Sequence, residues 1–215
     1  QTCALPICID NGLRLFGTYY RGLWDWKMEK DLNSYIKKYK VLDEQFCQET
    51  ISQLNSLENS WRDHSYYNPR TKQIKSNGEK ELLVSNSDIP SKPIIMEKIW
   101  YIIEMYLEHF DFVWDSSWEG YTEVRFNRYD ENKVMDIHCD HIRNFNGEKT
   151  TGVPILTVLG CLNDNYEGGE FIMFGDTEIK MQTGQIIVFP SNFLYPHQVN
   201  PVKKGSRYTF VSWVW

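Results

Sequence analysis

No run of apolar residues in this 215-residue chain approaches the ~20 that a membrane-spanning helix needs. Basic charge is not in surplus either. Lys and Arg number 23 against 29 Asp and Glu, a formal net charge of −6, which argues against a general nucleic-acid or membrane-surface binder. Cysteine is sparse, with 5 residues and no CxxC spacing. Neither a disulfide framework nor a cysteine zinc site is expected, and a reducing, cytoplasmic compartment fits best. Internal repeats and low-complexity segments are missing as well. The chain does have aromatic and apolar mass: 41% hydrophobic and 15% aromatic residues, including 8 Trp and 13 Tyr. That suffices for a sizeable core, with Tyr and Trp half-buried as in the walls of a cavity.

The opening QTCALPI, Gln1 to Ile7, is what CAG ACG TGT GCT CTT CCG ATC encodes, a common sequencing-adapter oligonucleotide read in frame. Residues 1–8 are therefore set aside as an adapter scar, the alternative being an ordinary N-terminus. On the first reading the sequence comes from assembled environmental reads, its true start is unknown, and the dependable cysteines are Cys47, Cys139 and Cys161. Residues 9–215 read as a single domain, with a helical layer over about 30–110 and a β core over about 120–215.

In DEQFCQETISQLNSLENSW, Phe46, Ile51, Leu54, Leu57 and Trp61 recur on one helical face, with Asp43 as N-cap. Ile95, Ile99, Ile102, Tyr106 and Phe110 do the same in a second helix, with Ser91 as its cap and Pro93 in the first turn. Lys37, Lys38 and Lys40 read as a solvated helix face. The polar stretch from Arg62 to Pro90 is long for a structureless loop, so it is expected to form a lid or to hold short strands. From about Gly120 the pattern changes to short strands separated by turn signals such as DEN, NDNYEGG, GDT and KKGS. About eight strands after a helical layer indicate an α+β fold, a jelly roll backed by N-terminal helices.

The chemistry concentrates in MDIHCDH. In a strand, residues two apart point to one face, so His138 and Asp140 converge while Cys139 points away as a small filler. A histidine and a carboxylate placed this way supply two ligands of a two-His-one-carboxylate facial triad, a set that suits non-haem Fe(II) because it leaves positions open. Of the 5 histidines, His197 in YPHQVNP is the expected third ligand, His141 is expected at the cavity rim, and His64 and His109 lie in the polar stretch and at a helix end. Arg207 follows His197 by ten residues, and the turn KKGS would let it face the same cavity one strand over. A buried arginine needs an anion and grips a carboxylate in bidentate fashion. Thr209 shares that face and could add a hydroxyl. A metal triad with a carboxylate-binding arginine is what a 2-oxo acid cosubstrate requires.

These residues, with YEGGEF between them, resemble the 2-oxoglutarate/Fe(II)-dependent dioxygenase superfamily in its prolyl-4-hydroxylase-like branch, in flavour nearest its viral (phage-type) members. The resemblance covers about Gly120 to Trp215 and implies a double-stranded β-helix of cupin-like form. It makes His138, Asp140 and His197 the iron ligands and the catalytic centre. Arg207 becomes the partner of the distal carboxylate of 2-oxoglutarate, and Tyr129 a hydrogen-bond donor to the same group. Gly168 to Phe171 matches a structural turn. Two positions depart from the pattern: Met135 replaces an aromatic residue, and Cys161 replaces a tyrosine that helps hold the cosubstrate. The implied cofactors are Fe(II), 2-oxoglutarate and O2, with ascorbate in support. The presence of Asp140 points to hydroxylation, since halogenating relatives carry a small residue there.

Three functions are therefore carried forward. The first is a hydroxylase of a peptide or protein, with a prolyl residue as target. The second is an oxygenase of a free amino acid or other small metabolite. The third is a cupin-like metal-binding module without redox chemistry, which Arg207 disfavours. Neither nucleic acid nor membrane is expected as a partner. Specificity is expected to lie in the stretch around 61–90, where WRDHSYYNP is aromatic, and in the loop RNFNGEKTTG.

Overall fold

In the computed structural model, the described residues are 31–68, 71–110, 120–141 and 153–215. The adapter-like segment and the loop at 143–152 lie outside them. After a short 3-10 turn (Leu32–Tyr35), the elements of the first part are β1 (Lys37–Lys40), α1 (Glu44–Ser56), β2 (Arg62–Asp63), β3 (Ser65–Asn68), β4 (Gln73–Ser76), β5 (Leu83–Ser85) and α2 (Lys92–Phe110). Then come β6 (Arg125–Tyr129), β7 (Met135–His138), β8 (Leu156–Cys161), β9 (Glu167–Gly168), β10 (Phe171–Met173), β11 (Thr177–Glu178), β12 (Gln185–Pro190), β13 (His197–Val199), β14 (Val202–Lys204) and β15 (Arg207–Val214).

A seven-stranded sheet runs β1-β12-β8-β15-β6-β5-β2, and a four-stranded sheet runs β11-β10-β13-β7. The named strands pair antiparallel throughout. Side chains alternate across a strand, and this parity divides the larger sheet into two faces. Phe126, Val158, Ile186, Val188 and Phe210, at even positions, pack with Cys47 and Leu54 of α1 and Ile95, Ile99, Ile102 and Tyr106 of α2. Tyr129, Leu159, Ile187, Phe189 and Val211, at odd positions, pack instead with Phe171, Met173 and Val199 of the smaller sheet. The expected jelly roll backed by helices is the fold found. The cavity lies on the odd-numbered face, away from the helices.

Local signals set most of the element ends. Asp43 caps α1 by accepting from the Phe46 amide at 2.7 Å, the expected role. Leu57 and Trp61 fall beyond the end of α1 rather than on its face. Ser91 does not cap α2 with its side chain. Its amide and hydroxyl both donate to Oε1 of Gln53, at 3.0 and 2.8 Å, and tie the two helices together. Lys37, Lys38 and Lys40 belong to a strand and not a helix: β1 pairs with β12, and Lys38 Nζ donates to the Lys180 carbonyl at 2.7 Å. Three lysines in the four residues of β1 suit an edge strand, where they discourage pairing with other chains. The polar stretch at 62–90 resolves into short strands, of which β5 extends the larger sheet beside β6.

Candidate metal centre

His138 ends β7 and His197 begins β13, and the two are cross-strand partners in the smaller sheet. Their rings lie 4.4 Å apart between centroids. Asp140 stands two residues past the end of β7. Its Oδ1 is 3.5 Å from His138 Nε2 and its Oδ2 is 3.7 Å from His197 Nε2. One donor atom from each of the three residues fits within 4.8 Å of the others.

The outer hydrogen bonds orient these donors. His138 Nδ1 faces the Asp136 carbonyl at 2.8 Å, and His197 Nδ1 faces the Tyr195 carbonyl at 3.0 Å. A carbonyl only accepts, so each ring carries its proton on Nδ1 and presents a free Nε2 lone pair. Thr157 of β8 donates to Asp140 Oδ2 at 2.8 Å and shares its hydroxyl with Ser191 at 2.8 Å, which fixes the carboxylate. Burial by itself would raise the Asp140 carboxyl, but the two neighbouring imidazoles and the hydrogen bond from Thr157 outweigh it and hold the group well below the usual carboxylate range. Burial pushes the His197 imidazole down. Burial pulls His138 the same way, and there the adjacent Asp140 carboxylate outweighs it, so its affinity for a proton is raised. An ionised carboxylate and two imidazoles with free Nε2 atoms fit a facial triad for Fe(II), with no thiolate to favour zinc or a cluster.

Arg207 enters at the start of β15, in the larger sheet and opposite Tyr129 of β6. It therefore lines the cavity from the sheet opposite that of His197, not from the adjacent strand that KKGS suggests. The intervening β14 pairs with β9 and carries the chain from one sheet to the other. Arg207 is only 2% exposed. Its Nε donates to the Tyr166 hydroxyl at 3.2 Å, and its guanidinium lies 5.0 Å from the centroid of the Tyr129 ring. Among the described residues no carboxylate reaches within 4.0 Å of it. A buried guanidinium held only by two phenols is poised for an anion. Tyr129 is itself buried, which pushes its hydroxyl up and keeps it a donor.

Thr209 is fully buried, but its hydroxyl accepts from Asn127 Nδ2 at 3.4 Å, and it is not among the residues lining the cavity. Cys161 pairs across from Thr209 and donates its thiol to the Asn163 carbonyl at 3.1 Å, while the phenol on Arg207 Nε comes from Tyr166. Cys139 is partly exposed and His141 is exposed, as a spectator and a rim residue would be. His64 is buried against Glu81 at 2.8 Å.

Sequence reasoning missed Thr157, Tyr166, Trp213 and Arg125. Thr157, Trp213 and Arg125 line the cavity with the metal donors. Strand parity could have found Arg125 and Trp213, since Arg125, Asn127 and Tyr129 alternate on one face of β6, as Arg207 and Trp213 do on β15. Tyr166 sits in the loop before β9, where periodicity has no purchase.

Comparison with known proteins places this geometry. Residues 124–215 match the family model described as the 2OG-Fe(II) oxygenase superfamily. A PKHD-type hydroxylase of Stenotrophomonas maltophilia (strain R551-3) is 38% identical over 99 residues, covering 44% of this chain and 43% of that protein. The chain thus spans less than half the length of the curated relatives it matches. Two solved structures share the fold. A viral collagen prolyl hydroxylase from Paramecium Bursaria Chlorella virus-1 aligns with TM-score 0.56 and 16% identity, over 84% of this chain and 94% of that one. A prolyl hydroxylase from Trichoplax adhaerens, solved with a hypoxia inducible factor oxygen degradation domain peptide fragment, aligns with TM-score 0.63 and 18% identity, over 86% and 85%.

Proposed function

We propose, from the premise that residues 124–215 belong to the 2OG-Fe(II) oxygenase superfamily in its prolyl-4-hydroxylase-like branch, that this protein is an Fe(II)- and 2-oxoglutarate-dependent hydroxylase. The observation that carries the reading is the pairing of a His-Asp-His donor set with a buried arginine that has no carboxylate of its own, both on one cavity. A metal-binding module without redox chemistry would have no use for that arginine.

In this reading His138, Asp140 and His197 hold the iron, and Thr157 keeps the Asp140 carboxylate turned toward it. Bound iron would supply the centre at which 2-oxoglutarate is oxidatively decarboxylated by O2 to succinate and CO2, with the second oxygen atom passing to a substrate C–H bond. Arg207 binds the distal carboxylate of 2-oxoglutarate, with Tyr129 donating to the same group and Tyr166 steadying Nε. Leu159, Phe189 and Val211 line the cavity with apolar surface and exclude water from it, which strengthens every polar contact inside. Because Nδ1–H of each histidine is already engaged by a carbonyl, neither ring can turn to offer its other nitrogen, and the geometry is fixed before any ligand arrives.

Peptide-bound substrates are supported by the neighbour solved with a peptide fragment, and a prolyl target by the names of both structural neighbours. Residues 9–215 act as one domain in this reading, with ascorbate keeping the iron reduced. The setting is a microbial or virus-infected cytoplasm, consistent with free Cys47, Cys139 and Cys161.

The test is succinate formation by protein reconstituted without oxygen, then given Fe(II), ascorbate, 2-oxoglutarate and O2. Iron-dependent succinate that disappears in His138→Ala is expected. An absence of succinate together with an absence of 2-oxoglutarate binding would return the site to the non-catalytic reading.

A further inference from the structure

The cavity holds a second cation for which 2-oxoglutarate gives no role. Arg125 opens β6, and its side chain shares a face with Asn127 and Tyr129. Its Nε donates to Asn127 Oδ1 at 3.1 Å, and its guanidinium lies 4.9 Å from the centroid of the Trp213 ring. Arg125 is half-buried, and an amide oxygen and an indole face are weak partners for a charge partly withdrawn from water. Among the described residues no carboxylate comes within 4.0 Å of it.

Strand register places this cation away from the cosubstrate anchor. Arg207 pairs with Tyr129, while Arg125 pairs with Val211, four residues along β6. At a strand's rise per residue the separation is about 13 Å. Thr157, which holds Asp140, pairs with Trp213, on which Arg125 stacks. Arg125 is therefore at the metal's end of the cavity and Arg207 at the other.

Charge balance makes the same point. Divalent iron, the Asp140 carboxylate, the two carboxylates of 2-oxoglutarate and the Arg207 guanidinium together are neutral. Arg125 remains as one uncompensated positive charge. Asp140 attracts Arg125 and Arg62 repels it, in a chain whose net charge is −6. A half-buried cation at the wall of a cavity is stabilised when an anion arrives.

We propose that Arg125 is the anchor for a carboxylate on the prime substrate, so that the group hydroxylated lies close to a free carboxylate. This rests on the hydroxylase reading and narrows it. The carboxylate belongs to a free amino acid, to the C-terminus of a peptide or to an acidic side chain beside the target residue. A neutral, internally placed prolyl residue does not satisfy Arg125.

The test uses the full chain loaded with metal and saturated with 2-oxoglutarate. The probes are the twenty free amino acids and their amides, a prolyl tripeptide with a free or amidated C-terminus, and a capped Pro-Glu peptide against its Pro-Gln counterpart. Binding is read by calorimetry with Mn(II) in place of iron, and coupling by succinate formed above the substrate-free rate. The expected result is that at least one acid binds and stimulates while its amide does so at least tenfold more weakly. The three pairs then say which source supplies the carboxylate. In Arg125→Gln the acid's KM rises at least tenfold and the preference for acid over amide collapses, and Arg125→Lys restores part of it. Indifference to amidation, equal loss for acid and amide in Arg125→Gln, or no acid bound at all would each overturn the proposal. Wild-type protein that fails to bind 2-oxoglutarate would instead overturn the hydroxylase reading beneath it.

Discussion

At the scale of single residues, the site depends on groups that touch neither cosubstrate nor substrate. Thr157 is one. Its 2.8 Å bond to Asp140 orients a metal donor, and such supporting bonds typically carry ten- to hundredfold in metal affinity. Thr157→Val keeps the shape and removes the donor, so Mn(II) or Fe(II) titration should show affinity weaker by about tenfold or more. An unchanged affinity would mean that Asp140 is held by packing alone. Arg207 is a different case, because its buried guanidinium meets the cosubstrate directly in the proposed function. Loss of one partner from a buried charge pair costs about 2–5 kcal/mol, so Arg207→Gln should raise the 2-oxoglutarate concentration needed by roughly thirtyfold or more. Tyr166→Phe should have a smaller effect in the same assay, since it removes a hydrogen bond to Nε and leaves the charge.

At the scale of elements, one strand position shows how tightly the layers pack. Gly160 lies one residue before the end of β8, opposite Phe210 of β15. A Cβ at this position would overlap the Phe210 ring. Gly160→Ala should destabilise the fold by about 1–3 kcal/mol, read as a lower denaturation midpoint at constant slope. The two faces of the larger sheet also predict thiol behaviour. Burial pushes the Cys47 thiol up to about 12 and the Cys161 thiol up to about 11. Both thiols are essentially unexposed, and the thiolate is the reactive form. At pH 8 neither should be labelled in the native protein, and both should react after denaturation. Partly exposed Cys139 should label first among these three.

The elements also show what sequence periodicity can and cannot reveal. Most of the strands from β6 to β15 are legible because turn signals bracket short apolar runs, but β9 and β14 fall on NDNYEGG and KKGS, which read as turns. His138, Asp140, His197 and Arg207 were legible because few histidines compete and their types demand partners. The lysines of β1 were misread, since a lone four-residue edge strand has too few residues to reveal its period, and its pairing with β12 is a tertiary fact. Ser91 was misread because Gln53, distant in sequence, takes the hydroxyl that a cap would use. KKGS suggests that Arg207 returns one strand over, but β14 pairs with β9 and passes the chain to the other sheet. Arg125 went unnoticed because one arginine amid alternating residues carries no signal until the opposing sheet closes over it.

At the scale of the molecule, two histidines on neighbouring strands of one sheet, with Asp140 just past the end of β7 and fastened by Thr157 to the other sheet, link metal binding to the stability of the sandwich. A ligand that binds only the folded state at a hundred times its dissociation constant adds about 2.7 kcal/mol, or roughly 5–10 °C for a domain of this size. Mn(II) should raise the melting temperature of the wild-type protein by that order, and a chelator should reverse it. His138→Ala should melt at the same temperature with and without metal. The wild type should show a further rise with 2-oxoglutarate only when metal is present, because the two sites share one cavity.

The most direct test of the central claim is calorimetric titration of 2-oxoglutarate into the wild-type protein in the absence of oxygen, with and without Mn(II). The account predicts saturable binding at one site that requires the metal and is weakened at least thirtyfold in Arg207→Gln, about 2 kcal/mol. Binding that ignores the metal, or no binding to the metal-loaded protein, would contradict it.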